Sequence, residues 1–76
     1  MQRYLNLSGD SGVTYYEIGV DNIRVWFRGG LSYRYSHAGA GQQHVERMKI
    51  LAVAGRGLAT YVNRHARDRY DRDDRS

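Results

Sequence analysis

The fold is decided by residues 13–36, VTYYEIGVDNIRVWFRGGLSYRYS, where three stretches rich in β-branched and aromatic residues are separated by two turn signals. The middle stretch, residues 23–28, alternates strictly between apolar side chains on one face and Arg24, Trp26 and Arg28 on the other. The turn signals are an Asp-Asn pair before this stretch and a Gly-Gly pair after it. The pattern predicts a three-stranded antiparallel meander with one apolar face and one arginine-rich face.

The flanking strands of this meander are predicted over residues 13–20 and 31–36. Residues 3–7 alternate as well, and they are a candidate fourth strand at the edge of the sheet. A first turn centred on the Asp-Asn pair makes the apolar faces coincide, because it pairs Val20 with Ile23. The apolar face is therefore expected to continue across the first two strands.

The second hairpin has two candidate registers with opposite consequences for the surface. A two-residue Gly-Gly loop places Tyr33 beside Trp26 on the outer face and turns Arg34 into the core. A loop that also includes the following leucine pairs Phe27 with Tyr33 and keeps Tyr33 and Tyr35 on the core side. We favour the longer loop, because burying an unpaired arginine costs several kcal/mol.

Beyond the meander, the apolar period changes from that of a strand to that of a helix. Apolar residues recur at helical spacing over residues 45–52, and Gly55 is expected to end this first helix in a left-handed conformation. A second helix is predicted from Leu58 to about Arg69, and its apolar stripe continues through Tyr61, Val62 and His65. Strands followed by helices predict an α+β domain whose two helices pack on one face of the sheet.

The composition is that of one small domain with a basic surface. The chain has 76 residues, no cysteine and a net charge of +4, and eleven of its twelve basic residues are arginine. Without cysteine there is neither a disulfide nor a thiolate metal site, and no apolar run approaches the roughly 18 residues of a membrane span. We expect a single domain over residues 1–70, followed by a disordered Arg/Asp tail over residues 71–76. The location is expected to be cytoplasmic, and the arginine-rich surface predicts an acidic partner.

The outer face of the predicted sheet is the first candidate binding surface. The favoured register adds Ser32 and Arg34 to Arg24, Trp26 and Arg28 on this face. Arginines that flank an aromatic ring suit single-stranded nucleic acid, because they neutralise phosphates while the ring stacks on a base. Two alternatives stay open: a solvated face on which the tryptophan covers arginine stems, and a face covered by a partner, a second copy or the first strand.

Three further arginines are candidates in the helical half of the chain. Arg56 lies between two glycines at the start of the second helix, where backbone amides can hold a phosphate, although a tight connection between helices is the favoured interpretation. Arg64 and Arg67 lie on the second helix and can contact phosphate. Asn63, Arg67 and Tyr70 are spaced i, i+4 and i+7 in a polar stripe, for which a structural role of Asn63 and Tyr70 is favoured.

Two motifs of this chain occur in the order typical of one family. They are a tyrosine-x-tyrosine motif at the centre and an asparagine followed by an arginine and a terminal aromatic, here Tyr33-Arg34-Tyr35 and Asn63, Arg67 and Tyr70. Residues 11–70 thereby resemble the KTSC domain, a short domain at the C-terminus of some lysyl-tRNA synthetases that also occurs alone in small bacterial and phage proteins. The resemblance implies an RNA-binding role.

The sequence predicts neither catalysis nor a cofactor. It contains no glycine-flanked serine nucleophile and no phosphate-binding loop. His37 and His44 have no nearby carboxylate cluster that would complete a metal site, and a hydrolase site around His65 is a minor alternative.

The preferred interpretation is a small module that binds RNA or another nucleic acid weakly, in a salt-sensitive and largely sequence-independent manner. Trp26 is expected to stack on an unpaired base while arginines dock on phosphates, namely Arg28, Arg34, Arg56, Arg64 and Arg67. The alternative is a protein-interaction or self-assembly module, such as a homodimer, that uses the sheet face around Trp26.

Overall fold

The computed structural model of the chain describes residues 1–7, 9 and 11–71. These residues form one antiparallel sheet with its four strands in chain order, followed by a helical layer. The predicted α+β fold, a meander followed by helices, is therefore confirmed, with a fourth strand that covers Gln2–Arg3 and not residues 3–7 as predicted. The elements are β1 (Gln2–Arg3), β2 (Val13–Ile18), β3 (Asn22–Phe27), β4 (Ser32–Ser36), α1 (His37–Ala40), α2 (Gln42–Ala54) and α3 (Leu58–Tyr61), which continues as a π-helix over Val62–Ala66.

The first hairpin turns one residue earlier than predicted. The Gly19 N–H donates to the carbonyl of Asn22 at 2.9 Å, and Ile18 pairs with Ile23, so the two turn residues are Val20 and Asp21. Val20 is consequently 94% exposed instead of pairing with Ile23. The residue opposite Ile23 is thus Ile18 in place of the predicted Val20, a shift of two positions. Because side chains alternate between the faces with a period of two, Ile18 and Ile23 still share the core face, as predicted.

The second hairpin has a three-residue loop, as favoured, but the loop begins at Arg28. The Phe27 N–H donates to the carbonyl of Leu31 at 2.7 Å, so Tyr33 pairs with Val25 and not with Phe27. Gly29 and Gly30 both lie inside the loop, where their φ angles of 96° and 94° are values that glycine adopts readily. Leu31 therefore lies outside the loop and extends β4. The two tyrosines of β4 lie on the core side and Arg34 on the outer side, as the favoured register required.

The helical layer covers the core face of the sheet. Twelve buried apolar side chains form one cluster between the two layers, with contributions from both. Its members include Ile23, Val25 and Tyr35 from the sheet, and Val45, Met48, Ala52, Leu58, Val62 and Ala66 from the helices. The opposite face of the sheet therefore carries the side chains that alternate with Ile23, Val25 and Tyr35.

The first predicted helix ends where expected, and the second differs from its prediction. Gly55 has a φ of 79°, and its N–H donates to carbonyls in the last turn of α2. The second helix changes to π geometry and ends at Ala66, not near Arg69. The wider π turn, with i→i+5 hydrogen bonds, places Val62 and Ala66 in the core and leaves His65 exposed, whereas His65 was predicted on the apolar stripe.

The chain beyond the helices is tied to the edge of β4. The Asp71 N–H donates to the carbonyl of Arg34 at 2.8 Å, and the Tyr70 ring lies 4.7 Å from the Tyr33 ring. Asp71 was predicted in the tail but is hydrogen-bonded to the sheet. Residues 72–76, the rest of that predicted tail, lie outside the described residues.

Candidate nucleic-acid interface

Among the described residues, the outer face of the sheet carries three cross-strand rows of side chains, of which the second is Glu17, Arg24 and Arg34 and the third is Asn22 and Ser36. The first, which we call the aromatic row, contains Arg3, Tyr15, Trp26 and Ser32, each directly opposite the next on the neighbouring strand. Directly opposite residues of antiparallel strands have side chains on the same face, about 4.5–5.5 Å apart at Cβ. Tyr15 and Trp26 are therefore neighbours on a surface that faces away from the helical layer.

Arg3 and Tyr15 are the members of this row that were not expected from the sequence, and Tyr15 depends on an irregularity in β2. The pairing of β2 with β3 shifts between Val13 and Tyr15, where a β-bulge or similar irregularity interrupts the alternation. Val13 is buried and Tyr16 packs against the core, while Tyr15 is 39% exposed on the outer face. In the sequence, the feature that could have indicated this bulge is the spacing of Val13 and Tyr16: two core residues three positions apart break the alternation of a regular strand.

Trp26 is held by its arginine neighbour. The guanidinium carbon of Arg24 lies 5.9 Å from the centroid of the Trp26 ring, in cation–π distance. The Nη1 of the same guanidinium donates to the hydroxyl of Ser32 at 3.2 Å. Arg24 therefore interacts with both of its predicted neighbours, with Trp26 through its guanidinium and with Ser32 through a hydrogen bond.

Arg34 lies in the second row, opposite Arg24, but its charge is balanced. Its guanidinium forms an ion pair with Asp71 and lies 4.0 Å from the carboxylate of Asp21. The other oxygen of Asp71 accepts a hydrogen bond from Ser36 at 2.8 Å. This arginine, which was predicted to contact phosphate, ties the chain after the helices to the sheet.

Asp21 has a lowered pKa at this edge of the sheet. The largest cause is a hydrogen bond from the side-chain amide of Asn22, which stabilises the carboxylate, and the nearby charge of Arg34 adds to it. The carboxylate is therefore ionised at neutral pH and contributes negative charge beside Arg34.

A depression of about 350 Å³ lies next to Tyr15 at the β1 side of the sheet. Arg3 and Arg28 line it together with Tyr15, and both arginines are exposed. The Nη2 of Arg28 donates to the backbone carbonyl of Ser11 at 3.4 Å, which orients the side chain toward this end of β2. The aromatic row therefore adjoins two cations at its Tyr15 end.

The remaining predicted arginines belong to the helical layer. Arg56 is exposed in the connection between α2 and α3, where Gly55 and Gly57 both have positive φ, as the favoured interpretation of a tight connection expected. Arg64 and Arg67 line a shallow depression of about 390 Å³, together with Asn63, His65, Asp68 and Arg69. The predicted binding residues are thus divided between the sheet and the helical layer: Arg24 and Arg34 share the sheet with Trp26, and Arg28 lies in the loop after β3.

The tyrosines of the tyrosine-x-tyrosine motif pack in the interior of the domain. Tyr35 is 1% exposed, and its burial raises the pKa of its phenol to about 12. The Tyr33 ring packs between Phe27, at a centroid distance of 5.9 Å, and Tyr70 at 4.7 Å. Asn63, the fourth motif residue, is exposed on the π-helix.

The histidines contact neighbouring side chains in the helical layer. His44 hydrogen-bonds the hydroxyl of Tyr61 through Nδ1 at 2.8 Å, and its ring stacks 6.0 Å from that of His65. Over residues 1–7, 9 and 11–71, no three His, Asp or Glu side chains are grouped as a metal site would need. Within the same residues, no helix has the length and apolarity needed to cross a bilayer.

The chain was compared with protein-family models, with curated proteins and with solved structures, and none of them matches it. The resemblance of its motifs to the KTSC domain therefore stays a prediction.

Proposed function

We propose that this protein is a non-catalytic, cytoplasmic KTSC-type module that binds RNA or another nucleic acid through the outer face of its sheet. The observation that carries the proposal is the aromatic row, in which Tyr15 and Trp26 stand side by side with Arg3 at one end and Arg24 against the indole. Aromatic rings and guanidinium groups on one surface match the two components of a nucleotide, its base and its phosphate.

The sheet supports this role because it fixes the spacing and direction of the side chains. β3 lies between β2 and β4 and its inward side chains Ile23 and Val25 are fully buried, so the outward Trp26 stands on a strand held from both sides. Arg28 is exposed in the loop that follows β3. We expect it to contact the backbone of a nucleic-acid strand that lies across the aromatic row. With three contributing arginines and a net charge of only +4, we expect weak, salt-sensitive and largely sequence-independent binding.

The test is a fluorescence-anisotropy titration of labelled RNA at two salt concentrations. Three single variants remove the same charge from different places: Arg28→Ala from the outer face, Arg64→Ala from the π-helix, and Arg47→Ala from the exposed surface of α2. We expect Arg28→Ala alone to weaken binding and to reduce the slope of log affinity against log salt by about 0.7 for single-stranded RNA.

Equal effects of the three variants would show that only net charge matters and would contradict a defined interface. A loss confined to Arg64→Ala would move the interface to the helical layer. No binding of any nucleic acid at low salt would refute the proposed function.

A protein-interaction or self-assembly module is the second candidate. It is favoured by the exposure of Tyr15 beside Trp26, because large aromatic side chains anchor many protein interfaces. Sedimentation velocity at micromolar concentration tests the homodimer. An oligomer that disappears in Trp26→Ala, together with no binding of nucleic acid, would establish this function in place of the first.

A further inference from the structure

We infer that the aromatic row accepts two successive unpaired bases of a single strand, one on Trp26 and one on Tyr15, with a neighbouring phosphate between Arg3 and Arg28. The inference rests on the proposed function and deepens it, because it names the form of nucleic acid and the site of each component. Tyr15 and Arg3 are the residues that it adds to those expected from the sequence.

The two rings stand on adjacent strands at directly paired residues, so their backbones lie one strand spacing apart, about 4.8 Å, and both side chains project from the same surface. Aromatic side chains on neighbouring strands of one sheet face suit consecutive bases. A duplex keeps the faces of its bases inside its own stack, so side chains that stack require a base that is unpaired. Two adjacent rings consequently favour a single strand over a duplex.

The two rings differ in how they are held. The guanidinium of Arg24 lies over the Trp26 ring at cation–π distance, while Tyr15 lies beside the irregularity in β2, where the strand redirects its side chains. Bulges of this kind often re-aim a side chain next to a functional site. The bulge here brings Tyr15 to the outer face, whereas regular alternation from the buried Val13 would have turned it to the core.

The depression beyond Tyr15 supplies the phosphate position. It is lined by Arg3 from β1 and Arg28 from the loop after β3, two residues that lie far apart in sequence and meet at the same end of the aromatic row. Its volume of about 350 Å³ leaves room for a backbone phosphate beside a stacked base. Charge complementarity thus selects an anionic occupant for this end of the face.

The experiment measures the affinity of the full chain for a labelled ten-nucleotide single strand of uridine, and for a ten-base-pair RNA duplex at the same salt. Three variants are compared with the parent: Tyr15→Leu, which keeps apolar bulk without a ring, Tyr15→Phe, which keeps the ring, and Trp26→Leu. Circular dichroism confirms that each variant is folded. The fluorescence of Trp26, the single tryptophan of the chain, reports stacking on its ring separately from affinity.

We expect the single strand to bind at least tenfold more tightly than the duplex. Removing one stacked base by Tyr15→Leu or Trp26→Leu should weaken single-strand binding by about 5- to 150-fold, and should leave duplex binding unchanged. Tyr15→Phe should retain the parent affinity, and Tyr15→Leu should still show quenching of Trp26 at saturation.

Three kinds of result would overturn the inference. If nucleic acid binds but Tyr15→Leu behaves as the parent, or if duplex and single strand bind equally, the two-base arrangement is wrong while the proposed function stands. If neither form binds, both are wrong. Variants that alter only the oligomeric state in sedimentation would assign the row to a second copy of the chain.

Discussion

Replacing Gly55 by alanine should destabilise the protein much more than the same change at Gly57, two residues away. Both glycines have left-handed φ angles, 79° and 81°, so the backbone strain of the two variants is nearly the same. Their surroundings differ. A Cβ at position 55 would lie 2.8 Å from the Cβ of Leu5, whereas a Cβ at position 57 would lie 3.6 Å from the Cδ2 of Leu51, an ordinary contact.

The magnitudes follow from these two terms. Left-handed φ costs an L-residue roughly 1–2 kcal/mol, offset by about 0.4–1 kcal/mol because alanine restricts the unfolded chain. Gly57→Ala should therefore cost about 1 kcal/mol. Gly55→Ala adds the cost of overpacking, about 1–3 kcal/mol. Leu5 cannot simply move away, since the Leu7 N–H donates to the Gly55 carbonyl at 2.7 Å and holds this segment against the turn.

Urea denaturation followed by circular dichroism measures the difference. With a slope of about 1 kcal/mol per molar urea for a small domain, the two midpoints should differ by about 1–3 M. A double-mutant cycle isolates the contact, because Leu5→Gly removes the opposing Cβ and should recover most of the extra loss in Gly55→Ala. Equal midpoints for the two alanine variants, or no coupling with Leu5→Gly, would refute the steric argument.

Two further predictions concern the sheet edge and the core. Asp71→Asn removes the carboxylate that binds both Arg34 and Ser36. After allowance for solvent screening, it should lower the free energy of unfolding by about 1 kcal/mol. The same change at the exposed Asp68 is the control and should have little effect. An Asp71→Asn variant as stable as the parent would contradict the role of this ion pair. Burial raises the pKa of Tyr35 to about 12 from an ordinary value of 10, so its contribution to stability is complete below pH 10 and is lost as the pH rises to 12. Between pH 9 and 11.5 the urea midpoint of Tyr35→Phe should therefore fall less steeply with pH than that of the parent. Equal slopes for the two proteins would contradict a raised pKa of Tyr35.

Local chemistry in the sequence was enough to predict the three-stranded meander, the faces of β3 and β4, and the order of strands and longer helices, whereas the short α1 and the outward face of Tyr15 were not predicted. Strict alternation over residues 23–28 assigned Trp26 to the surface, and the left-handed preference of Gly55 located the end of α2. Both hairpin turns were displaced by one residue, yet each error moved the strand partners by two positions. The period of the pleat is also two, so the faces survived an incorrect register.

Only part of the candidate site could be predicted from the sequence. Trp26 and its flanking arginines follow from alternation within one strand, which depends on nearest neighbours alone. Tyr15 joins them only because β2 bulges against β3, and Arg3 and Arg28 meet beside it only because the edge strand and a distant loop pack at one end of the sheet. Likewise, Arg34 had the right face, but its ion pair with Asp71 depends on where the chain returns after the helices. Periodicity and turn propensity are local properties and are readable in the chain, whereas irregular pairing and contacts between distant residues exist only once the layers have packed.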